Sequence, residues 1–138
     1  MRSLFEHMIE LAKVPGLPQT AREVAILAVG SHTQAVYEIY SHERIALSAT
    51  SLTREQADLI KIGKRPTDMD ESCNVAFDAA LELAKVPGPL SGQTWERIKD
   101  AFGQDGAQAL IHYIGFYLYM CTLLNGFDVR LPEGQHIG

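Results

Sequence analysis

Glu38 and His42 are the two residues whose types and spacing most favour acid–base chemistry. They stand four positions apart in the segment TQAVYEIYSHERIALSA (33–49), so a helix would place them on one face, one turn apart. A carboxylate beside an imidazole favours the imidazolium form and raises the pKa of the histidine. Such coupling supplies a proton donor near neutral pH, as general acid–base catalysis requires.

Two other interpretations of this pair remain open. An exposed Glu–His pair at this spacing is an ordinary surface contact worth about 0.2–0.5 kcal/mol. A metal site would need a third ligand, such as His32 or His112, from another segment, and the chain has no H-E-x-x-H spacing. We therefore predict neither a metal nor a cofactor. The same helical face carries only small residues besides the pair, which favours close packing or a small ligand: Ala35, Ala46 and Ala49.

Composition predicts one folded domain over residues 1–138. Hydrophobic residues make up 46% of the chain and charged residues 21%, as in ordinary globular proteins. The net charge is −5 and the Lys and Arg residues are scattered, so we expect no nucleic-acid partner. Cys73 and Cys121 form no C-x-x-C motif, and the charged N-terminal segment lacks the apolar core of a signal peptide. We expect a cytoplasmic protein in which both cysteines are buried apolar residues.

The segment from Gly106 to Phe127 contains no charged residue and is long enough to cross a bilayer. Polar residues interrupt it, and Asp105 and Asp128 flank it where membrane spans prefer Lys or Arg. We predict a helix that is buried on most sides, in the core and against another subunit. His112 within it is interpreted as a buried, hydrogen-bonded histidine.

Helical periodicity and stop signals predict an all-α fold of about seven helices. No segment shows the strict alternation of a strand. Capping boxes are predicted at Thr20–Glu23 and Thr53–Gln56, and the C-terminal segment VRLPEGQHIG (129–138) is expected to be a poorly ordered surface segment. The predicted helices cover residues 3–13, 20–30, about 33–49, 53–63, a fifth that carries residues 73–84 and ends before Pro87, a sixth between Ser91 and Gly103, and a seventh that ends at Asn125–Gly126.

One seven-residue sequence occurs twice. ELAKVPG stands at 10–16 and again at 82–88, each time where a helix is predicted to end, and a Thr follows shortly before the next helix. The tendency of Pro and Gly to end helices explains only the Val-Pro-Gly part of the repeat. The full identity favours partial duplication of a helix–loop–helix unit.

The run REVAILAVGSHTQAVYEIYSHERIALSATSLTREQADLI (22–60) resembles the carboxymuconolactone decarboxylase-like family, which includes the AhpD-type alkylhydroperoxidases. The matching pieces are Arg22–Glu23 before a hydrophobic helix, the run Tyr37–His42, and the element Ser51–Gln56. The resemblance extends over nearly the whole chain. It implies an AhpD-like helical fold and a homo-oligomer, either trimer or hexamer.

The resemblance also implies roles for individual residues. In AhpD-type proteins two cysteines form the peroxidatic disulfide, but Ala35 and Glu38 stand at those positions here, so the thiol peroxidase cycle is not expected. Tyr37 stands where that branch has a relay histidine. The decarboxylase branch instead has a Glu four residues before the His, which implies a lactone or enol-type acid as substrate, with His42 as proton donor and Glu38 orienting it.

Three further residues complete the implied site. Glu23 is a candidate proton relay, although a capping-box carboxylate explains it equally well. Arg22 and Arg44 are the cations nearest in sequence for a substrate carboxylate. Two functions therefore remain: a cofactor-independent acid–base enzyme, decarboxylase- or lyase-like, acting on a small cyclic or unsaturated acid, and a non-catalytic oligomeric helical scaffold that binds a small ligand or a protein.

Overall fold

The computed structural model describes residues 2–138 and confirms the all-α prediction. It contains six helices and, over that range, no strand: α1 (Arg2–Leu11), α2 (Gln19–Thr33), α3 (Val36–Ala49), α4 (Arg54–Lys61), α5 (Glu71–Lys85) and α6 (Gly92–Gly126). The prediction of about seven helices separated the last two at Gly103. The structure runs them together across a kink there, at φ 69° and ψ 178°, a conformation that glycine adopts without strain.

Helix α2 lies at the centre of the fold. It contacts α3, α4, α5 and α6, and ten of its fifteen residues are buried. A helix that is apolar nearly all round is stable only when neighbours cover it on most sides. The predicted capping box at its start is wrong: Pro18 is the N-cap and makes no side-chain bond, and Glu23 points into the protein interior.

A short turn connects α2 to α3 and brings the two helices close together. Gln34 takes the left-handed conformation, at φ 55°, and its backbone N–H bonds to the Ser31 carbonyl. A Cβ on Gly30 would lie 3.1 Å from Ile39 Cγ1, so a glycine here permits close packing of the helices. The turn therefore returns α3 along α2, and residues 19 positions apart in sequence can meet.

The two copies of ELAKVPG both end a helix, but at different residues: α1 ends at Leu11, the second residue of the first copy, and α5 ends at Lys85, the fourth residue of the second. Each final glycine has a positive φ, 95° at Gly16 and 98° at Gly88. Gly16 packs against α6, where a Cβ on Gly106 would lie 2.8 Å from the Gly16 carbonyl carbon. A Cβ added to Gly88 would instead meet no atom within 4 Å. The identical sequence thus shares a final glycine with positive φ, and only the first copy is part of a close crossing.

Helix α6 is long and apolar enough to cross a membrane by length and composition alone. In its most apolar window of 18 residues, 39% are buried within the chain. Within the chain one side of α6 packs on α2 and α5 and several residues of the other side are exposed, so the predicted burial against another subunit stays a prediction. His112 lies on the open side and is exposed, which corrects its interpretation as a buried histidine.

The C-terminal segment folds back onto α3 and α4. Gln135 accepts a hydrogen bond from the Tyr40 hydroxyl, at 3.2 Å, and the Gly138 N–H donates to Glu43 Oε2, at 3.0 Å. The segment was expected to be poorly ordered because its composition is polar and it lacks helical periodicity. These long-range contacts, absent from any local pattern, give it a defined path.

Candidate functional site

His42 lies between two carboxylates inside the protein. Its Nδ1 is 2.7 Å from Glu23 Oε2, across the α2–α3 interface, and its Nε2 is 3.0 Å from Glu38 Oε1, one turn earlier on α3. All three residues are buried, with exposed fractions of 3% for Glu23, 6% for Glu38 and 9% for His42. The predicted pair is thus part of a buried triad, Glu23–His42–Glu38, which excludes the exposed-pair interpretation.

The two carboxylates determine the protonation state of the imidazole. Burial alone would lower the pKa of His42, but the contacts with Glu23 and then Glu38 outweigh it and raise the pKa to about 9. His42 is therefore an imidazolium at neutral pH, hydrogen-bonded to Glu23 through Nδ1 and in ion-pair contact with Glu38 through Nε2. Arg22 adds a second cation near the triad, its Nε 3.9 Å from Glu23 Oε1, so the two anions face two cations.

Aromatic residues of α6 form one wall of this site. The Tyr117 ring meets the His42 ring edge-on, with centroids 4.9 Å apart, and Tyr113 stacks parallel to Tyr117 at 6.5 Å. The Tyr113 hydroxyl accepts a hydrogen bond of 3.3 Å from Arg22 Nη1. Burial is the main cause that raises the pKa of the Tyr117 hydroxyl, followed by the charges of Glu38 and Glu23. Tyr117 therefore stays protonated beside the imidazolium.

The structure brings together four of the six predicted site residues. Arg22, Glu23, Glu38 and His42 form one connected group, whereas Tyr37 and Arg44 lie elsewhere on α3. Each residue advances about 100° round a helix, which directs Tyr37 and Arg44 away from the stripe that holds Glu38 and His42. Both residues contact Tyr40 instead. The Tyr37 and Tyr40 ring centroids are 6.2 Å apart, and the Arg44 guanidinium lies over the Tyr40 ring, 5.3 Å from its centre.

From the sequence, Tyr113 and Tyr117 either line a pocket for a flat substrate or, as is more common for tyrosines at helical spacing, belong to the core or an interface. Both are buried, with exposed fractions of 3% and 8%. Their spacing with Cys121, four and eight residues along α6, indicates one buried stripe. No sequence pattern shows which helix that stripe faces, so the contact with His42 was found only in the structure.

Both cysteines are buried and unpaired, as predicted. Burial is the largest cause that raises their thiol pKa values, to about 12 for Cys73 and about 11 for Cys121. A thiol that holds its proton this firmly is a poor nucleophile at neutral pH. These two cysteines therefore act as small core residues.

A second buried charged cluster lies on the neighbouring residue of α3. Glu43 is 3% exposed, and its Oε1 contacts both Lys61 Nζ and, at 2.6 Å, Arg54 Nη1. Its Oε2 accepts the Gly138 N–H. Asp58 also pairs with Lys61, at 2.7 Å. Sequence analysis missed this cluster because Glu43 has no partner at helical spacing; its cations come from α4.

Five surface cavities, of about 290 to 480 Å³, are lined by residues outside the triad. Within residues 2–138, no group of three or more His, Cys, Asp or Glu side chains is arranged to hold a metal ion. The contacts of both ring nitrogens of His42 with carboxylates are of the kind that can hold a proton in the triad.

Comparison of this chain with protein families, curated proteins and solved structures gave no match.

Proposed function

We propose that this protein is a cofactor-independent acid–base enzyme, decarboxylase- or lyase-like, of the carboxymuconolactone decarboxylase-like family. The observation that carries the proposal is the buried Glu23–His42–Glu38 triad. A histidine that served only packing would not need two buried carboxylates, because burying charge costs free energy that structural pairs seldom recover in full. Perturbed ionisable groups of this kind are concentrated at functional sites.

The geometry supports distinct roles for the two carboxylates. Glu23 approaches Nδ1 at 2.7 Å and comes from α2, so it orients the ring and stabilises its positive charge. Glu38 occupies the Nε2 side at 3.0 Å. Since both ring nitrogens are engaged, a substrate atom must either displace Glu38 from Nε2 or exchange its proton through Glu38. We propose that Glu38 is the group next to the substrate and that His42 is its proton reservoir.

Arg22 is the cation best placed for the carboxylate of a small unsaturated or cyclic acid. Its guanidinium contacts Tyr113 and is partly exposed, at 21% of the side chain, so it reaches both the solvent and the site. The stacked Tyr113 and Tyr117 rings lie beside Arg22 and His42. We propose that the acid binds with its carboxylate at Arg22 and its reacting carbon toward the triad.

The proposed reaction can be tested by proton exchange. The full-length protein would be incubated in D₂O with a panel of small unsaturated acids and lactone acids, and C–H exchange and CO₂ release followed by NMR. We expect His42→Gln and Glu38→Gln to slow turnover by about 10²-fold or more. Arg44→Gln, which changes a charge on α3 away from the triad, is the matched control and should keep full activity.

A non-catalytic scaffold is the second candidate, and one observation favours it: five surface cavities are lined by residues outside the triad. If the wild-type protein exchanges no proton with any acid of the panel, and His42→Gln lowers only the free energy of unfolding, the scaffold is the correct function.

We also propose that the protein is a homo-oligomer, with a trimer or hexamer as the expected size. Large apolar side chains on the open side of α6 support this, including Tyr119, 48% exposed, and Phe127 beyond its end, 78% exposed. Phe116 on the same helix contacts Tyr117, so a neighbouring subunit would lie close to the site. Sedimentation at micromolar concentration tests the assembly, and a monomer would overturn it.

A further inference from the structure

Two histidines from opposite ends of the sequence meet at the surface, away from the triad. His7 of α1 and His112 of α6 have ring centroids 5.9 Å apart, with the rings inclined at 63°. Both line a cavity of about 410 Å³ between the two helices. Neither residue has a part in the proposed acid–base site, and both are exposed to solvent.

The separation of the rings suits a shared metal ion. Zinc binds imidazole nitrogen at about 2.0–2.1 Å, which places the centres of two rings on one ion roughly 5–6 Å apart. The observed separation of 5.9 Å lies within that range. Both side chains are exposed, and binding requires that they rotate until one nitrogen of each ring is directed at a common point.

Carboxylates stand beside the two rings. Glu10 is three residues after His7 on α1, and Asp105 is seven residues before His112 on α6, so each shares a helix face with its histidine. Both line the same cavity. Glu10 is paired with Lys13 at 2.6 Å, whereas Asp105 makes no side-chain hydrogen bond or ion pair within residues 2–138 and is available as a further ligand.

From this arrangement we propose a binding site for a divalent transition metal ion that joins α1 to α6 through His7 and His112. Imidazole and carboxylate together select zinc, nickel or copper over calcium and magnesium, which prefer oxygen ligands alone. Because no three ligands are already arranged round one point, the ion takes the two imidazoles first and completes its shell with Asp105 or water. The site is therefore open and exchangeable.

The ion would link α1, the helix with the fewest buried residues, to the rest of the fold. Leu11 is the one buried residue of α1, and Phe5 and Ile9 of the same helix are 63% and 58% exposed. A link between residues 7 and 112 adds a constraint across 105 positions of sequence. Metal binding should therefore protect α1 more than any other element.

Zinc chloride, titrated into the full chain by calorimetry, tests the site. We expect one ion per chain, and affinity lower by roughly tenfold or more in His7→Gln and in His112→Gln, since each removes one of two imidazoles. His32→Gln and His136→Gln, which alter exposed histidines elsewhere, are the matched controls and should bind as the wild type does.

A second readout separates a specific bridge from loose surface binding. Zinc should slow amide hydrogen exchange in residues 2–11 of the wild type and leave that exchange unchanged in His7→Gln. Binding that survives the double variant His7→Gln/His112→Gln, or that leaves exchange in α1 unaltered in the wild type, would overturn the proposal. Neither readout depends on the proposed enzyme activity.

Discussion

Two adjacent residues of α3, His42 and Glu43, begin two buried charged clusters with opposite properties. In the triad, one titratable imidazole has a carboxylate on each side. In the Glu43 cluster, one carboxylate has two cations, Lys61 and Arg54, and a backbone N–H. The first arrangement holds a proton that can leave and return. The second binds a carboxylate whose charge is compensated on all sides, and it ties α3 to α4 and the C-terminal segment.

The difference teaches which kind of buried charge indicates chemistry. Ion pairs that are fully satisfied serve to fix structure. An excess of carboxylates around a histidine instead couples folding, charge and proton transfer. Each of the following predictions would break or sharpen this contrast, beginning with the largest effect.

Glu43→Gln should lower the free energy of unfolding by about 3 kcal/mol, because Lys61 then keeps its buried charge with only Asp58 to compensate it. Urea unfolding followed by circular dichroism measures the change. Asp58→Asn is the matched control, since Asp58 is about half exposed, at 49% of its side chain, and should cost less than about 1 kcal/mol. Equal losses of unfolding free energy in both variants would show that the Glu43 cluster does not hold α3 to α4 and the C-terminal segment.

Most residues of the triad could be predicted from the sequence, whereas the Glu43 cluster could not. The spacing of Glu38 and His42 predicts a shared helix face without any knowledge of the tertiary fold. Glu23 was found only through the family resemblance, and its local pattern pointed instead to a capping box. Glu43 meets its partners 11 and 18 residues later and at Gly138, and such long-range pairings leave no periodic signal.

The fold shows the same division between local and non-local information. Helix ends were predicted at Pro15–Gly16, at Gly63 and before Pro87, and the helices end within five residues of each, at Leu11, Lys61 and Lys85. The exposure of His112 contradicts its interpretation as a buried histidine, because an apolar helix has the same composition whether a second helix of the chain covers a given side or not.

The stability contributed by the triad should decline in alkali. His42 has a folded pKa of about 9 against 6.5 for the unfolded chain, so its contribution is complete below about pH 6.5 and is lost as the pH rises through about 9. This contribution to the free energy of unfolding amounts to about 3 kcal/mol at most. Unfolding free energies of the wild type and His42→Gln, compared from pH 6 to pH 10, should converge as the pH rises.

Glu23→Gln provides the sharper version of this experiment. It keeps a hydrogen-bonding side chain next to Nδ1 but removes a charge, so the His42 ring should titrate at lower pH than in the wild type. NMR of the ring protons measures the midpoint directly. A midpoint unchanged by this variant would mean that Glu23 does not charge the imidazole.

Arg44→Ala should have the smallest effect. The guanidinium contacts the Tyr40 ring at an exposed position, and such a contact is worth about 0.5 kcal/mol. Thermal unfolding should shift little, and the His42 midpoint should stay in place. A shift of that midpoint would show that Arg44 lies closer to the triad than the helical geometry of α3 places it.

The one-residue offset between His42 and Glu43 also has a mechanical consequence for α3. Side chains extend roughly 6 Å from a helix axis, so a rotation of about 20° about that axis moves their ends by roughly 2 Å. Such a rotation would break the 2.7 Å contact with Glu23 on one side and the 2.6 Å contact with Arg54 on the other. The rotation of α3 about its axis is therefore fixed by two contacts, one with α2 and one with α4. The imidazole cannot move away from Glu23 by such a rotation without also breaking the contact between α3 and α4.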